Sequence, residues 1–239
     1  MKDAPEPGAG ASRSSPIAAR SGRVTALGAA ALASMLVGSA VALFVVPADA
    51  RQGEVQRLLY VHVPSAWLAM LSFFVVFLMS VLYLVQRQLR WDLVAASSAE
   101  IGVVFTALTL ALGSLWAKPT WGVWWTWDPR LTTTAILLVI YAGYLLVRSL
   151  ADDPDQRARW CAVIGIVAYV QVPIVYLSVY WWRSLHQPPS SPRSMAGEFV
   201  TVLLLNVVAF TLVFAYLLAR RVRLASLELA LERREPAHE

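Results

Sequence analysis

Six long runs with almost no charge, at about 24–46, 65–86, 97–117, 131–147, 161–182 and 199–219, constrain this chain more than any other feature. Each is close to the roughly 17–25 residues that carry an α-helix across the hydrocarbon of a bilayer. Inside hydrocarbon a backbone N–H or C=O has no partner except another backbone group. The period-two alternation of a barrel strand is missing, so the runs predict helices and exclude β architecture. The expected fold is all-α: a polytopic membrane protein with six transmembrane helices. Composition agrees, because 58% hydrophobic and 15% charged over 239 residues is too apolar for a soluble domain of this size.

Charge sets the expected orientation. With both termini cytoplasmic, only Arg51, Arg57, Lys118, Arg130, Arg183 and Arg193 of the 20 Lys and Arg residues fall outside, leaving 14 inside, the asymmetry of the positive-inside rule. The same bias accounts for the net charge of +5, so the basic residues near the C-terminus do not imply nucleic acid. Residues 1–23, rich in Ala, Gly, Pro and Ser, are expected to form a disordered cytoplasmic tail. Residues 24–222 form a six-helix membrane domain with an outward Trp-rich loop over 116–130, and 223–239 form a second cytoplasmic tail. The N-terminal run with Ala48 to Ala50 imitates a cleavable signal. At 23 residues, Val24 to Val46 is longer than the 7–15 apolar residues of a signal core, which favours a retained helix. The loops are short, so any chemistry belongs at the outer face or within the bundle.

Five of the ten tryptophans stand within twelve residues, in WAKPTWGVWWTWDPRLT, at Trp116, Trp121, Trp124, Trp125 and Trp127. An aromatic belt populates both interfaces, whereas here only Trp91 and Trp160 lie inside. Belt behaviour explains Trp67, Trp91 and Trp160 and leaves the central cluster unexplained. Trp121, Trp124 and Trp125 follow i, i+3, i+4, the spacing that a short interfacial helix would turn into one flat face.

His62, in LLYVHVPSAW, and His186, in YWWRSLHQPP, fall on that same outer side, while His238 lies in the C-terminal tail. A pair of imidazoles beside an aromatic cluster suggests ligation of one metal centre. Zinc would need three or four Cys, His or carboxylate ligands, and only Asp49, Glu54, Asp128 and Glu198 could supplement the pair. Haem asks for less: one or two axial ligands, flat apolar surface, and cations for its propionates. Lys118, Arg130, Arg183 and Arg193 are the candidate cations. Asp128 before Pro129 reads as the N-cap of the fourth span. Pro173 is expected to kink the fifth span and open space under the outer face. Glu100, Gln171 and Asn206 are the few polar groups within spans. Cys161 stands alone, so neither a disulfide within the chain nor a C-x-x-C-H haem attachment is possible.

WGVWWTWD, YVHVPSAWLAM and VYWWRSLHQ together resemble the tryptophan-rich (WWD) haem-handling family of cytochrome c biogenesis, in its smaller six-span branch, over about 24–222. Pro129 replaces the Ala more usual there. The resemblance implies that His62 and His186 ligate haem iron, that Trp121, Trp124, Trp125, Trp127 and Asp128 hold the porphyrin, and that binding is non-covalent and transient. It further implies a bacterial inner-membrane location with the working face periplasmic. The implied partners are a membrane-anchored haem chaperone, subunits of an ATP-binding cassette transporter and a small single-span accessory subunit. The expected function is haem binding and transfer without catalysis. The alternative is a permease that moves haem or another solute across the bilayer. A permease needs polar groups along a path, and the spans offer few.

Overall fold

A computed structural model describes residues 16–187 and 195–232, so Arg193, His238, most of the expected N-terminal tail and the end of the C-terminal one lie outside the described residues. The elements are α1 (Pro16–Phe44), a 3-10 turn (Glu54–Leu58), α2 (Leu59–Gln86), α3 (Leu89–Trp121), α4 (Pro129–Ser149), α5 (Pro154–Ala168), α6 (Gln171–Trp181) and α7 (Gly197–Glu232). Among the described residues there is no strand beyond one isolated bridge between Asp49 and Gly53. Six helical stretches are long and apolar enough to cross a membrane, α5 and α6 counting as one. The fold class is therefore as expected.

Every span begins before its apolar run, and α3, α4 and α7 also outlast theirs. The tail boundaries expected at 23 and 223 fall inside α1 and α7. His62, expected just before the second span, is helical within α2, and Lys118 and Trp121 belong to the last turn of α3. Polar and interfacial residues continue a helix readily, because only the middle of a span has to be apolar.

The fifth span breaks where its sequence requires. Pro173 lacks the N–H that would bond the Tyr169 carbonyl, and its ring crowds that position. The backbone there tightens into i→i+3 bonds, Val170 N to Val167 O at 3.2 Å and Val172 N to Tyr169 O at 3.0 Å. Gln171, at the break, donates from Nε2 to the Thr133 carbonyl of α4 at 2.9 Å, so this in-span polar group is consumed by structure.

Close packing depends on small residues, as expected where lipid supplies no hydrophobic drive between helices. A Cβ on Gly102 of α3 would stand 2.5 Å from the Phe73 ring and 2.9 Å from Ser72 Cβ of α2. Phe73 stacks on Tyr141 of α4, with centroids 3.6 Å apart, in a buried core shared by α2, α3, α4, α5 and α6. α1 lies against α7, where Asn206 Nδ2 donates to Gly38 O at 3.3 Å and to Val202 O at 2.9 Å. Glu100 is paired with Arg221 of α7. Buried Asp92 of α3 forms a two-pronged pair with Arg148 of α4, both contacts 2.7 Å.

Six antiparallel crossings gather the segments after α1, α3 and α6 at one end of the bundle. There Trp116 Nε1 donates to Gln52 Oε1 at 2.8 Å, and Arg57 donates to the Ala42 and Val46 carbonyls at the end of α1. The start of α1 and the end of α7 lie at the other end.

Candidate functional site

A cavity of about 390 Å³ opens at the loop end, walled by α2, α3, α4, α6 and α7. That is within the roughly 300–1,000 Å³ of small-molecule sites. Its walls are mostly apolar, with Val63, Met70, Leu110, Leu137, Val175 and Val207 among them. Besides the hydroxyls of Thr106, Thr109, Ser114, Thr120 and Thr134, the polar groups are His62, His186, Gln52, Arg130 and Gln187.

His62 projects from α2 toward α3, which can approach because residue 113 is glycine: a Cβ there would stand 3.2 Å from the imidazole Cε1. The Trp116 ring meets the imidazole edge-on, centroids 5.8 Å apart at 80°. His62 Nδ1 is buried and has no hydrogen-bond partner. A buried nitrogen left unpaired costs free energy, and an electrophile at that position recovers it.

His186 comes from the segment after α6. Its Nδ1 lies 2.8 Å from the Gln187 carbonyl, and since a carbonyl only accepts, Nδ1 carries the proton. Nε2 is thereby left with its lone pair, the arrangement in which an imidazole binds a metal. Burial holds the His186 pKa below its ordinary 6.5. The Arg130 charge lowers it further, against the opposing pulls of the Gln187 bond and Asp128.

One carboxylate organises this corner. Asp128, preceding Pro129 at the first helical position, accepts from Arg130 N at 2.8 Å, which is the expected N-cap. The same carboxylate accepts from Ser184 Oγ at 2.8 and 3.0 Å and from Leu185 N at 2.7 Å. Ser184 Oγ in turn accepts from His186 N at 3.0 Å. The cap of α4 therefore also pins the segment that carries His186.

Of the residues predicted from sequence, His62, His186, Trp121 and Arg130 line one cavity. Arg130 is anchored there by Nε to Ser178 Oγ at 3.1 Å and by a terminal nitrogen to the Tyr176 carbonyl at 3.0 Å. Trp124, Trp125, Trp127, Lys118 and Arg183 do not line it. Trp127, Asp128 and Arg183 flank a separate hollow of about 330 Å³ with Thr126 and Ser184. Lys118 donates to the Gly122 carbonyl at 3.0 Å and sits 5.9 Å from the centroid of the Trp124 ring.

The expected single helical face of Trp121, Trp124 and Trp125 is not formed. Trp121 ends α3, Gly122 turns the chain at φ 79°, and the chain stays non-helical until Asp128. A left-handed glycine is a common helix terminator, and it divides the tryptophans between cavity and surface. Trp124 is 55% and Trp127 83% exposed. Sequence reasoning missed Gln52, Gly113, Ser184 and Gln187, and it assigned Trp67, a cavity residue, to the belt. Ser184 and Gln187 flank His186 in the chain, which is the one signal that could have found them.

Among the described residues no group of three or more His, Cys, Asp or Glu could hold a metal ion, so the two imidazoles line the cavity without carboxylate support. The donor set fits an iron that brings its own equatorial nitrogens. The family described as heme exporter protein C matches residues 10–236. The chain belongs to the heme exporter protein C family. A heme exporter protein C of Bradyrhizobium diazoefficiens is 40% identical over 190 residues, covering 74% of this chain and 72% of that protein. The heme exporter protein C of Escherichia coli K12 is 35% identical over 191 residues, covering 80% and 77%. A cytochrome c biosynthesis ccmC-like mitochondrial protein of Marchantia polymorpha is 36% identical over 162 residues, covering 68% of each. In this member of the heme exporter protein C family the paired histidines, the capped α4 and the turn at Gly122 together build the loop end of the bundle.

Proposed function

We propose that this protein takes up haem as cargo in the cavity at the loop end and passes it to a membrane-anchored haem chaperone for cytochrome c biogenesis. The observation that carries the reading is the presence of His62 and His186 on one apolar cavity, with Nδ1 of the first unpaired and Nε2 of the second left as an acceptor. When bound, haem would supply an iron that neutral imidazoles can ligate. The residues of this chain do the rest. His62 and His186 would hold the iron, Trp121 and the aliphatic walls would exclude water, and Arg130 would offer a cation to the propionates. Asp128 is a positioning residue that holds the His186 segment. Trp124, Trp125 and Trp127, with Lys118 and Arg183, form the surface beside the opening, suited to contact with haem as it leaves and with its acceptor.

The excess of Lys and Arg on the other side supports a periplasmic placement of the loop end in a bacterial inner membrane. Subunits of an ATP-binding cassette transporter and a small single-span subunit are the proposed further partners. Delivery is favoured over movement of a solute through the bundle because the in-span polar groups Glu100, Gln171 and Asn206 are each engaged by a neighbouring helix. Purified protein should show a Soret band after incubation with haemin. The H62A/H186A double variant should lose it or shift it, and an unaltered spectrum and haem content in that variant would refute the assignment.

A further inference from the structure

The two histidines are oriented by different means. His186 is fixed by hydrogen bonds at its ring and at its backbone, to the Gln187 carbonyl and Ser184 Oγ. His62 has no such bond at Nδ1, and the Thr109 backbone is the one hydrogen-bonding group beside its ring, so its orientation depends largely on the surfaces around it. Two of those surfaces come from one stretch of α3. Gly113 and Trp116, three residues apart and so on one helix face, contact the imidazole through a bare backbone and an indole edge.

The indole is itself held from elsewhere. Its Nε1 donates to Gln52 Oε1 at 2.8 Å, a bond between residues 64 apart in the chain. Gln52 is presented by a tight turn. The Asp49 carboxylate accepts from the backbone N–H groups of Gln52 and Arg51, both at 2.8 Å, and these bonds hold its pKa below the usual carboxylate range. Asp49 and Gly53 exchange two backbone bonds, and Gly53 takes the positive φ, 58°, that closes the turn. Gln52, His62, Gly113 and Trp116 all line the cavity.

We propose that Gln52 is a positioning residue for His62, acting through the Trp116 indole, so that the segment joining α1 to α2 sets the geometry of one axial ligand. This inference rests on the haem-binding reading above. Gln52 touches Trp116, Trp116 touches His62, and His62 would meet the iron. Loss of the acceptor leaves a half-buried indole N–H unpaired, frees the ring to turn, and loosens the imidazole against which it packs. Such outer partners of a metal ligand are worth roughly 10- to 100-fold in affinity.

The test uses the full chain in detergent, loaded with haemin, as wild type, Q52L, Q52E, W116F, H62A and H186A. The readouts are the Soret and Q-band spectrum, the low-spin fraction by electron paramagnetic resonance, and the rate of haem loss to excess apomyoglobin. Q52L and W116F should lose low-spin character and release haem about 10- to 100-fold faster. The double variant Q52L/W116F should do no more than W116F alone, since Gln52 acts only through the indole that W116F removes. Q52E keeps an acceptor for the indole and should stay near wild type.

A wild-type spectrum and release rate in Q52L, with H62A altered, overturn the role of Gln52 and leave the binding site standing. Wild-type behaviour in both H62A and H186A overturns the haem site and this inference with it. If Q52L is aggregated on size exclusion, W116F decides, and wild-type values there overturn the proposal.

Discussion

At the residue scale, His186 ties site chemistry to pH. Burial depresses its pKa below 6.5, so the neutral imidazole, the form able to bind iron, persists as pH falls through the range where an exposed histidine protonates. The sign for stability follows: below 6.5 the unfolded chain takes up the proton more readily than the folded one, so acid weakens the fold. Haem occupancy followed by the Soret band is therefore expected to hold level down through pH 6.5 and to drop only below it, in step with a falling thermal midpoint. A drop centred at or above 6.5 would contradict the burial of this ring. Asp128 gives a second test at this scale. Replacing it by Ala removes an N-cap, which costs about 0.5–2 kcal/mol, and releases Ser184 and Leu185 at the same time. D128A should lower the melting temperature and alter the haem spectrum, whereas S184A should alter the spectrum with a smaller stability loss. The cap was legible because Asp-Pro at the head of an apolar run has few other uses. The second duty of the same carboxylate was not, because Ser184 is 56 residues away in the chain.

At the scale of elements, two ion pairs among the described residues tie helices together, and burial separates them. Asp92 and Arg148 join α3 to α4 with side chains only 5% and 15% exposed, whereas Glu100 and Arg221 are 38% and 31% exposed and Arg221 also reaches Glu228. Removing one member of a buried pair strands the other charge, a loss of about 3–5 kcal/mol. An exposed pair is worth little. D92A should therefore destabilise the protein in thermal or denaturant unfolding far more than E100A. Equal effects would mean that water reaches Asp92. Glu100 was visible in the sequence as a charge within a span. Its partner was not, because α3 meets α7 only after the chain has turned back three times. Pro173 illustrates the opposite case, since the interruption of the fifth span follows from a missing N–H and needs no tertiary information.

For the whole molecule, the arrangement of six spans predicts which loops share a side. In a C161A background, V123C in the segment after α3 should react with a membrane-impermeant maleimide added from the periplasmic side. D152C, between α4 and α5, should react only after the membrane is opened. The reverse pattern would invert the assignment of the loop end. The sequence by itself determined the number of spans, their helical nature and the side shared by the histidines and tryptophans. Those properties depend on run length, backbone hydrogen bonding and charge balance, all of which are local or additive along the chain. Only the tertiary structure decided that His62 and His186 line one cavity with Trp121 and Arg130, that Trp124 and Trp127 stay on the surface, and that Gln52 reaches Trp116. The reason is geometric: a cavity is the space left where helices far apart in sequence fail to touch, and no single segment carries a record of it.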